Sequence, residues 1–419
     1  MVAGVESIVP LFRFGNHRVR PLKNIAWAMC LSIVLLSWTS CDHRPDTPSL
    51  TLPAAPDDIV SVADVAQPSG IDRESAASRP VVPRLAQRLE DAPTFSVMTW
   101  NLEWFFDDER GDNYSKLAKE QAAPSRVQWD WRRDQVAASL SQVQPSIVAL
   151  QEVENKRVLW YLTRSLARSH ELAYEELCVE GSDVFTEQDV GFLYRSGTAS
   201  GNKKTDPSLL VIEPTWAGIF GRTAAMRQDE SFADVSKHLC VQYELSLGDQ
   251  TEKLTVLNLH LRAKEEAVEI RTRQARTAHA WIANKVRSGE NVIVLGDFNT
   301  DEQQAPAVKG SDMHAACGFD TPDLEDDLID LHSLLPEQEQ QTHLLAGKAF
   351  DRILVSPSLL QDDPSRPDLC LVKFQRWQSL AVKGRVDTPQ EHWDHYWQID
   401  EADRDLSDHW PLMATFQLK

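Results

Sequence analysis

Residues Asn291–Asp301 read NVIVLGDFNTD. Four consecutive apolar residues, Val292, Ile293, Val294 and Leu295, make a run short and β-branched enough for a buried strand, and Gly296 then releases the backbone. Asp297 and Asn299 follow, two positions apart. At a strand's end that spacing sends both side chains to one side, so a carboxylate and an amide can converge on one ligand. Gly, Asp and Asn are equally the commonest turn residues. The stretch alone fits a turn as well as a site, and the rest of the chain has to decide.

Upstream lies the longest helical stretch, Glu265–Val286, with an apolar stripe at Val268, Ala275, Ala278 and Ile282 and many charges on what reads as a solvated face. Further back, strand patterns fall at Leu254–His260, Leu239–Leu247, Asp189–Tyr194, Ser146–Leu150 and from Phe95. Helices are expected over Trp131–Val143, ended by Pro145, and over Lys156–Ser169. The segment Gly197–Lys237 reads as irregular; its Trp216 and Phe220 suit core packing first, with Arg222 beside them. Downstream come a polar region to Gly347, a strand in Ala349–Val355, a loop carrying Trp377, Trp393 and Trp397, and a last strand at Trp410–Leu418. Strands alternating with helices indicate an α/β fold, and no repeat of solenoid period is present.

Six strand patterns carry an Asn, Asp, Glu or His at one end: Asn101, Glu152, His260, Asp297 with Asn299, Asp351, and Asp408 with His409. One such residue would be ordinary. Six suggest that one rim of a sheet system holds a shared site, since strand ends fix side chains rigidly. Carboxylate and amide oxygens without thiolates suit a hard cation, Mg²⁺, Mn²⁺ or Ca²⁺. Histidines beside carboxylates suit proton transfer and charge stabilisation at a phosphoryl centre, and metal with His and Asp fits hydrolysis of a phosphate ester by activated water.

The ends of the chain concern location. In the 419 residues, Arg13, Arg18, Arg20 and Lys23 precede an apolar run, Ile25–Leu36, that is short for a membrane span, and Cys41 follows small residues. The pattern predicts an export signal over residues 1–41, of lipoprotein type if Cys41 is lipidated. Trp38 sits where that pattern prefers Leu, Val or Ile. Residues 42–93 turn to Pro, Ser, Ala and Asp without period, the composition of a disordered tether, and the folded unit is expected over 94–419. Cys178, Cys240, Cys317 and Cys370 would then be left for one or two disulfides, with three full pairings, or for buried thiols; no spacing among them suggests zinc. Hydrophobic content of 42% provides a core, while 43 Lys+Arg against 63 Asp+Glu gives −20, which opposes nonspecific binding to nucleic acid unless positive charge is localised.

In order, TWNLE, LQEVE, NLHL, GDFNTD, FDRILVS and SDHWP resemble the endonuclease/exonuclease/phosphatase superfamily over about Phe95–Lys419. Within it, AFDRILVSPSLLQ and SDHWP are similar to segments of pancreatic deoxyribonuclease-I-like members. The resemblance implies a four-layer α/β sandwich, two packed mixed sheets flanked by helices, in a monomeric hydrolase with the site at one end. It implies Glu152 as main metal ligand, helped by Asn101 and Glu103, with Asp408 sharing the metal or orienting a histidine. Asp297 and Asn299 would position water and phosphate. His409, backed by Asp351, would contact the scissile phosphate, and His260, oriented by Asp189, would be the leaving-group acid or a second phosphate contact. Arg195 and Arg262 are candidates for outer phosphate contacts; Lys264, Glu103 and Glu154 read more simply as solvated charges.

Departures bear on the substrate. Deoxyribonuclease-like members place an Arg after QEV where this chain has Glu154, which disfavours duplex DNA, and AFDR stands where inositol-polyphosphate phosphatases carry a Trp-containing segment. The expectation is a metal-dependent phosphodiesterase, nuclease-like, acting on a phosphoester or nucleic acid. A sphingomyelinase-like lipid phosphodiesterase is the alternative, with the Trp377–Trp397 loop at a membrane, although a hydrophobic cluster closing an insertion explains that loop more simply. A catalytically silent tethered binding module would have lost a core residue, and none is lost.

Overall fold

Residues 85–90, 92–181, 183–196, 208–216, 237–247, 250–300, 308–361 and 368–418 are described by the computed structural model, all within the unit Ser69–Lys419. The export signal, Cys41, most of the 42–93 tether, Phe220 and Arg222 lie outside them. The strands are β1 Thr94–Phe105, β2 Ile147–Val153, β3 Glu175–Val179, β4 Asp189–Tyr194, β5 Ser208–Trp216, β6 His238–Leu247, β7 Gln250–His260, β8 Asn291–Asp297, β9 Ile329–Asp330, β10 Asp351–Val355, β11 Leu369–Arg376 and β12 Leu412–Leu418. The α-helices are α1 Lys116–Gln121, α2 Arg126–Val143, α3 Lys156–His170, α4 Val268–Arg287, α5 Asp312–Ala316, α6 Gln378–Ala381 and α7 Pro389–His395.

Two six-stranded mixed sheets result, in the orders β11-β12-β1-β2-β4-β3 and β5-β6-β7-β8-β10-β9. Each holds one parallel pair, β1 with β2 and β7 with β8. Parallel neighbours need a crossover, and α2 and α4 supply the two. Alternation along each strand then builds the layers. Phe95 and Val97 of β1, Ile147 and Ala149 of β2, Leu254 and Val256 of β7, Ile293 and Leu295 of β8 and Ile353 and Val355 of β10 meet in one core between the sheets. The intervening Met98, Trp100, Val148 and Leu150 pack outward with Val136 and Leu140 of α2 and Val158, Leu162 and Leu166 of α3. Leu257, Leu259, Val292 and Val294 pack outward with Ala275, Ala278 and Ile282 of α4. The architecture is therefore the α/β sandwich of helix, sheet, sheet and helix layers.

Strand direction collects the polar strand ends at one rim. β1, β2, β7 and β8 all finish there, while β10 and β4 run antiparallel to β8 and β2 and start there, pairing Asp351 with Asp297 and Asp189 with Val153. Continuing the inward-facing positions of each strand toward this rim changes apolar into polar: Thr99 and Asn101, Gln151, Asn258 and His260, Asp297, Asp351. Beneath the rim, Gln151 Nε2 donates to Asn258 Oδ1 at 2.7 Å, and Asn258 Nδ2 donates across the sheets to the carbonyls of Leu150 and Gly191, each at 3.0 Å. Buried amides paired in this way fix the separation of the two sheets directly below the site.

Several expectations are corrected. Glu175–Val179, Ser208–Trp216, Ile329–Asp330 and Leu369–Arg376 are strands that the sequence pattern did not mark. Within 42–93 the final residues are not free: Ala86 N donates to Leu371 O at 2.9 Å and Gln417 brackets Leu89 through two 2.7 Å bonds, so the folded unit starts before Thr94. Of the two readings left open for the cysteines the thiol one holds: Cys178, Cys240, Cys317 and Cys370 form no disulfide among the described residues. Val268 is 40% exposed, at the start of α4, and does not share the buried stripe. The tryptophan loop follows its simpler reading in part: Trp377 and Trp397 pack against the outer core of the first sheet, while Trp393 is 47% exposed.

Candidate active site

Glu152 occupies a position whose strand parity, shared with Val148 and Leu150, would send it outward. A bulge prevents this: Gln151 pairs with Val190 and Val153 with Asp189, leaving Glu152 as the extra residue, at φ 58°. A left-handed non-glycine at a bulge is strained and is a known way of re-aiming a side chain into a site. Oε1 comes within 3.2 Å of Asn101 Nδ2 and 3.7 Å of His260 Nε2, and Oε2 accepts from Trp104 N at 3.1 Å and from Gln188 Nε2. β1 is turned likewise, with Glu103 and Trp104 at φ 46° and 48°. Arg132 of α2 holds this turn, donating to the carbonyls of Leu102 at 2.8 Å, Glu103 at 2.5 Å and Trp104 at 3.1 Å.

Asn101 is oriented by Glu103 N, which donates to its Oδ1 at 2.9 Å, so its Nδ2 faces inward and donates to Asp297 Oδ2 at 2.9 Å. Asp297 also accepts from Asn299 N at 2.8 Å and Asn299 Nδ2 at 3.2 Å. Asn299, at φ 49°, uses the same amide to bond Leu261 O at 3.1 Å. His260 Nε2 lies 3.5 Å from Asp297 Oδ2. His260, Asp297 and Asp351 are register partners across β7, β8 and β10, one row over three strands. Gly296 permits the approach of β7, because a Cβ there would lie 1.9 Å from Leu259 O.

On the other side, Asp351 Oδ2 and His409 Nδ1 are 2.9 Å apart, and His409 Nε2 points toward Asp297 Oδ2 at 3.8 Å. Burial opposes charge on His409, but Asp351 and Asp297 overcome it and hold the imidazole well above its ordinary range. Burial also opposes charge on Asp408, yet His343 and His409 keep its carboxyl below the usual range. Glu152 is pushed up to about 7 by burial and by the Asp408 carboxylate. Burial raises Asp297 as well. His260 is driven well down by burial, Lys237 and His409, so its ring is neutral.

Thus Asn101, Glu152, His260, Asp297, Asn299, Asp351, Asp408 and His409 are gathered at one rim. The remaining candidates take other roles or places. Asp189 starts β4 at the rim, but its Oδ1 accepts from Gly181 N at 2.7 Å, and His260 Nδ1 has no hydrogen-bond partner among the described residues, so Asp189 does not orient it. Arg195 follows the last residue of β4 and so lies at the opposite rim, which removes it as a phosphate contact. Arg262 is exposed two residues past His260 and remains at the site's margin, and Lys264 is exposed as expected. Glu103 is not a solvated charge: its Oε2 meets His392 Nε2 at 2.6 Å and accepts from Asp408 N at 3.1 Å. Glu154 is buried, accepting from Asp107 N and Asn113 Nδ2, both at 2.9 Å.

Sequence reasoning missed a second group. His343 Nε2 is 3.3 Å from Asp408 Oδ2, and Trp393 Nε1 donates to the same oxygen at 3.0 Å. Buried Lys237 donates to Gln188 Oε1 at 3.0 Å, behind Glu152, and pairs with Asp183 at 3.0 Å. These residues stand in connections without period, where only the Trp content gave a signal.

The donor set fits a divalent cation. Asp408 Oδ1 is buried without a hydrogen-bond partner among the described residues, and the mutual repulsion of Glu152 and Asp408 is what a cation between carboxylates relieves. Ligand atoms of Glu152, His260 and Asp297 lie within 4.8 Å of one another, as do those of His343, Asp408 and His409.

Solved structures that the chain matches include a humanized D. rerio TDP2, at 17% identity over 77% of this chain and 99% of that one with a TM-score of 0.45. The human Nocturnin catalytic domain with bound sulfate matches at 15% identity over 79% and 97%, with a TM-score of 0.47. A mannosyl-6-phosphatase of Bacteroides thetaiotaomicron matches at 16% over 77% and 99%, with a TM-score of 0.46. A search of curated proteins found no match. The model of the Endonuclease/Exonuclease/phosphatase family matches residues 98–409, three-quarters of the sequence and every strand end described above, and the chain belongs to that family.

Proposed function

We propose that the protein is a divalent-metal-dependent phosphodiesterase of nuclease-like type that hydrolyses phosphate esters with water. The observation that carries this reading is the convergence of Glu152, Asp297 and Asp408 with His260 and His409, from both sheets, at one rim. Glu152 and Asp408 would hold Mg²⁺, with Mn²⁺ or Ca²⁺ as substitutes; bound there, the ion would neutralise phosphate charge and polarise the phosphoryl group. Asp297, held at both oxygens by Asn101 and Asn299 and raised in proton affinity by burial, orients the attacking water and takes its proton. His409, kept cationic by Asp351, donates from Nε2 to a phosphate oxygen as charge builds on it. Neutral His260 serves as a second phosphate contact rather than as an imidazolium acid. Arg262 would meet an outer phosphate.

Glu154 is turned into the protein, so it no longer argues against nucleic acid. The net charge of −20 still opposes nonspecific binding of a polyanion, so a nucleic-acid substrate would have to be held by the metal and by local cations such as Arg262. The packing of Trp377 and Trp397 leaves Trp393 as the one exposed indole of that loop, which weakens the lipid reading. The N-terminal pattern supports export with lipidation of Cys41, and the protein is proposed to act as a monomer.

The test is hydrolysis of plasmid DNA, RNA, sphingomyelin and bis-p-nitrophenyl phosphate with Mg²⁺, Mn²⁺ or Ca²⁺ and after chelation. His260→Ala and Asp297→Ala should each lose on the order of 10²-fold or more in rate, with circular dichroism unchanged. Full metal-dependent activity in either variant would remove that residue's role, and no cleavage of any phosphodiester would sink the reading.

A further inference from the structure

Asp408 is held from four directions. Its N–H donates to Glu103 Oε2 at 3.1 Å and its carbonyl accepts from Leu344 N at 2.7 Å, which fixes the main chain. Its side chain is fixed separately, and by residues from two unrelated connections: His343, between β9 and β10, and Trp393, in α7. Both approach Oδ2, at 3.3 Å and 3.0 Å, while Oδ1 is buried with no hydrogen-bond partner among the described residues. Two donors on one oxygen occupy its lone pairs and leave the other oxygen as the carboxylate's remaining acceptor.

His343, Asp408 and His409 could also be read as two imidazoles and a carboxylate ligating a metal directly. The tautomer argues against this. Leu345 N donates to His343 Nδ1 at 3.0 Å, so in the neutral ring the proton sits on Nε2, the atom that faces Asp408. A protonated ring nitrogen has no lone pair for a cation and is a hydrogen-bond donor. The ring is further pinned by packing against Phe350 at 4.7 Å and His409 at 4.6 Å between centroids.

We infer that His343 and Trp393 are positioning residues that clamp Asp408 Oδ2 through Nε2–H and Nε1–H and so present Oδ1 alone to the divalent cation. The inference rests on the reading of Asp408 as a cation ligand. Without the clamp the carboxylate rotates between orientations, and affinity for the cation falls although every ligand is still present.

The experiment measures Mn²⁺ binding by calorimetry to chelator-stripped protein without substrate, with the activation constant for Mn²⁺ as a second readout. His343→Phe keeps the packed ring and removes the donor; His343→Gln returns an N–H at the reach of Nε2; Trp393→Phe removes the other donor at an exposed position. We expect Mn²⁺ affinity to fall about 10–100-fold in His343→Phe and Trp393→Phe, and His343→Gln to bind near the unsubstituted protein. Unchanged binding in both phenylalanine variants would overturn the inference, as would His343→Gln binding as weakly as His343→Phe. Should His343→Phe not fold, Trp393→Phe decides alone. Asp408→Ala separates the two levels: if it binds Mn²⁺ normally, the ligand reading has failed, whereas lost binding there with intact binding in the clamp variants refutes only the clamp.

Discussion

Replacing Gly296 by Ala puts one methyl group where the backbone of β7 already is. A Cβ at this position would lie 1.9 Å from Leu259 O and 2.9 Å from Leu259 N, on a backbone at φ 136°. Side-chain β-carbons do not come within 3.0 Å of such atoms, so the strands must part by 1.1 Å, the difference between 3.0 and 1.9. Leu259 pairs with Gly296 and the next register pair is His260 with Asp297. The displacement is therefore delivered one residue from the 3.5 Å approach of His260 Nε2 to Asp297 Oδ2. Strain of this kind costs about 1–3 kcal/mol. In a domain of this size each kcal/mol lowers Tm by about 1–2 °C. A catalytic group misplaced by about 1 Å costs on the order of 10²-fold in rate. Thermal melts together with kcat on bis-p-nitrophenyl phosphate at saturating Mg²⁺ measure both. If Gly296→Ala melts and turns over like the unsubstituted protein, the close approach of β7 and β8 does not set the site's geometry and the reasoning is refuted.

Asp351→Asn removes the charge that holds His409 cationic at 2.9 Å. We expect kcat at neutral pH to fall by roughly 10²–10⁴-fold and the pH–rate optimum to move toward acid, where His409 is protonated again; an optimum unmoved by the substitution would refute the pairing's role. His392 lies between Glu103 Oε2 at 2.6 Å and Asp387 Oδ2 at 2.9 Å; burial disfavours its charge, but these carboxylates raise it to about 10 from 6.5. Because the folded value is raised, its contribution is fully present below pH 6.5 and is lost as pH rises toward about 10. His392→Gln should therefore destabilise by ~3–5 kcal/mol at pH 6 and progressively less as alkali is added, read as the difference in urea unfolding free energy; a pH-independent difference would contradict the ion pairs.

The four strands that escaped the sequence pattern, β3, β5, β9 and β11, are the four edges of the two sheets. A central strand covered on both faces needs an apolar run, as in Val292–Leu295, and is legible for that reason. An edge need not alternate or exclude proline: β5 carries Pro214, and an edge strand tolerates a residue without an N–H because alternate N–H groups of an edge face away from its one neighbour. Leu369–Val372 is the exception, an apolar run that could have been read as strand β11.

Local chemistry thus determined the apolar strands, the crossover helices and the polar residues that terminate them, since each depends on neighbours a few positions away. Only the tertiary structure decided which of those residues meet. Strand direction placed Asp351 beside Asp297 and carried Arg195 to the far rim. A bulge reversed the parity of Glu152, a backbone conformation its side chain does not announce. Glu154 turned inward onto Asp107, and His343, Trp393, Gln188 and Lys237 came to the site from connections with no periodic signal. The physical reason is one of range: periodicity reports burial against an unspecified core, whereas a hydrogen bond or ion pair across hundreds of residues exists only once the two sheets have packed and fixed the distance between their rims.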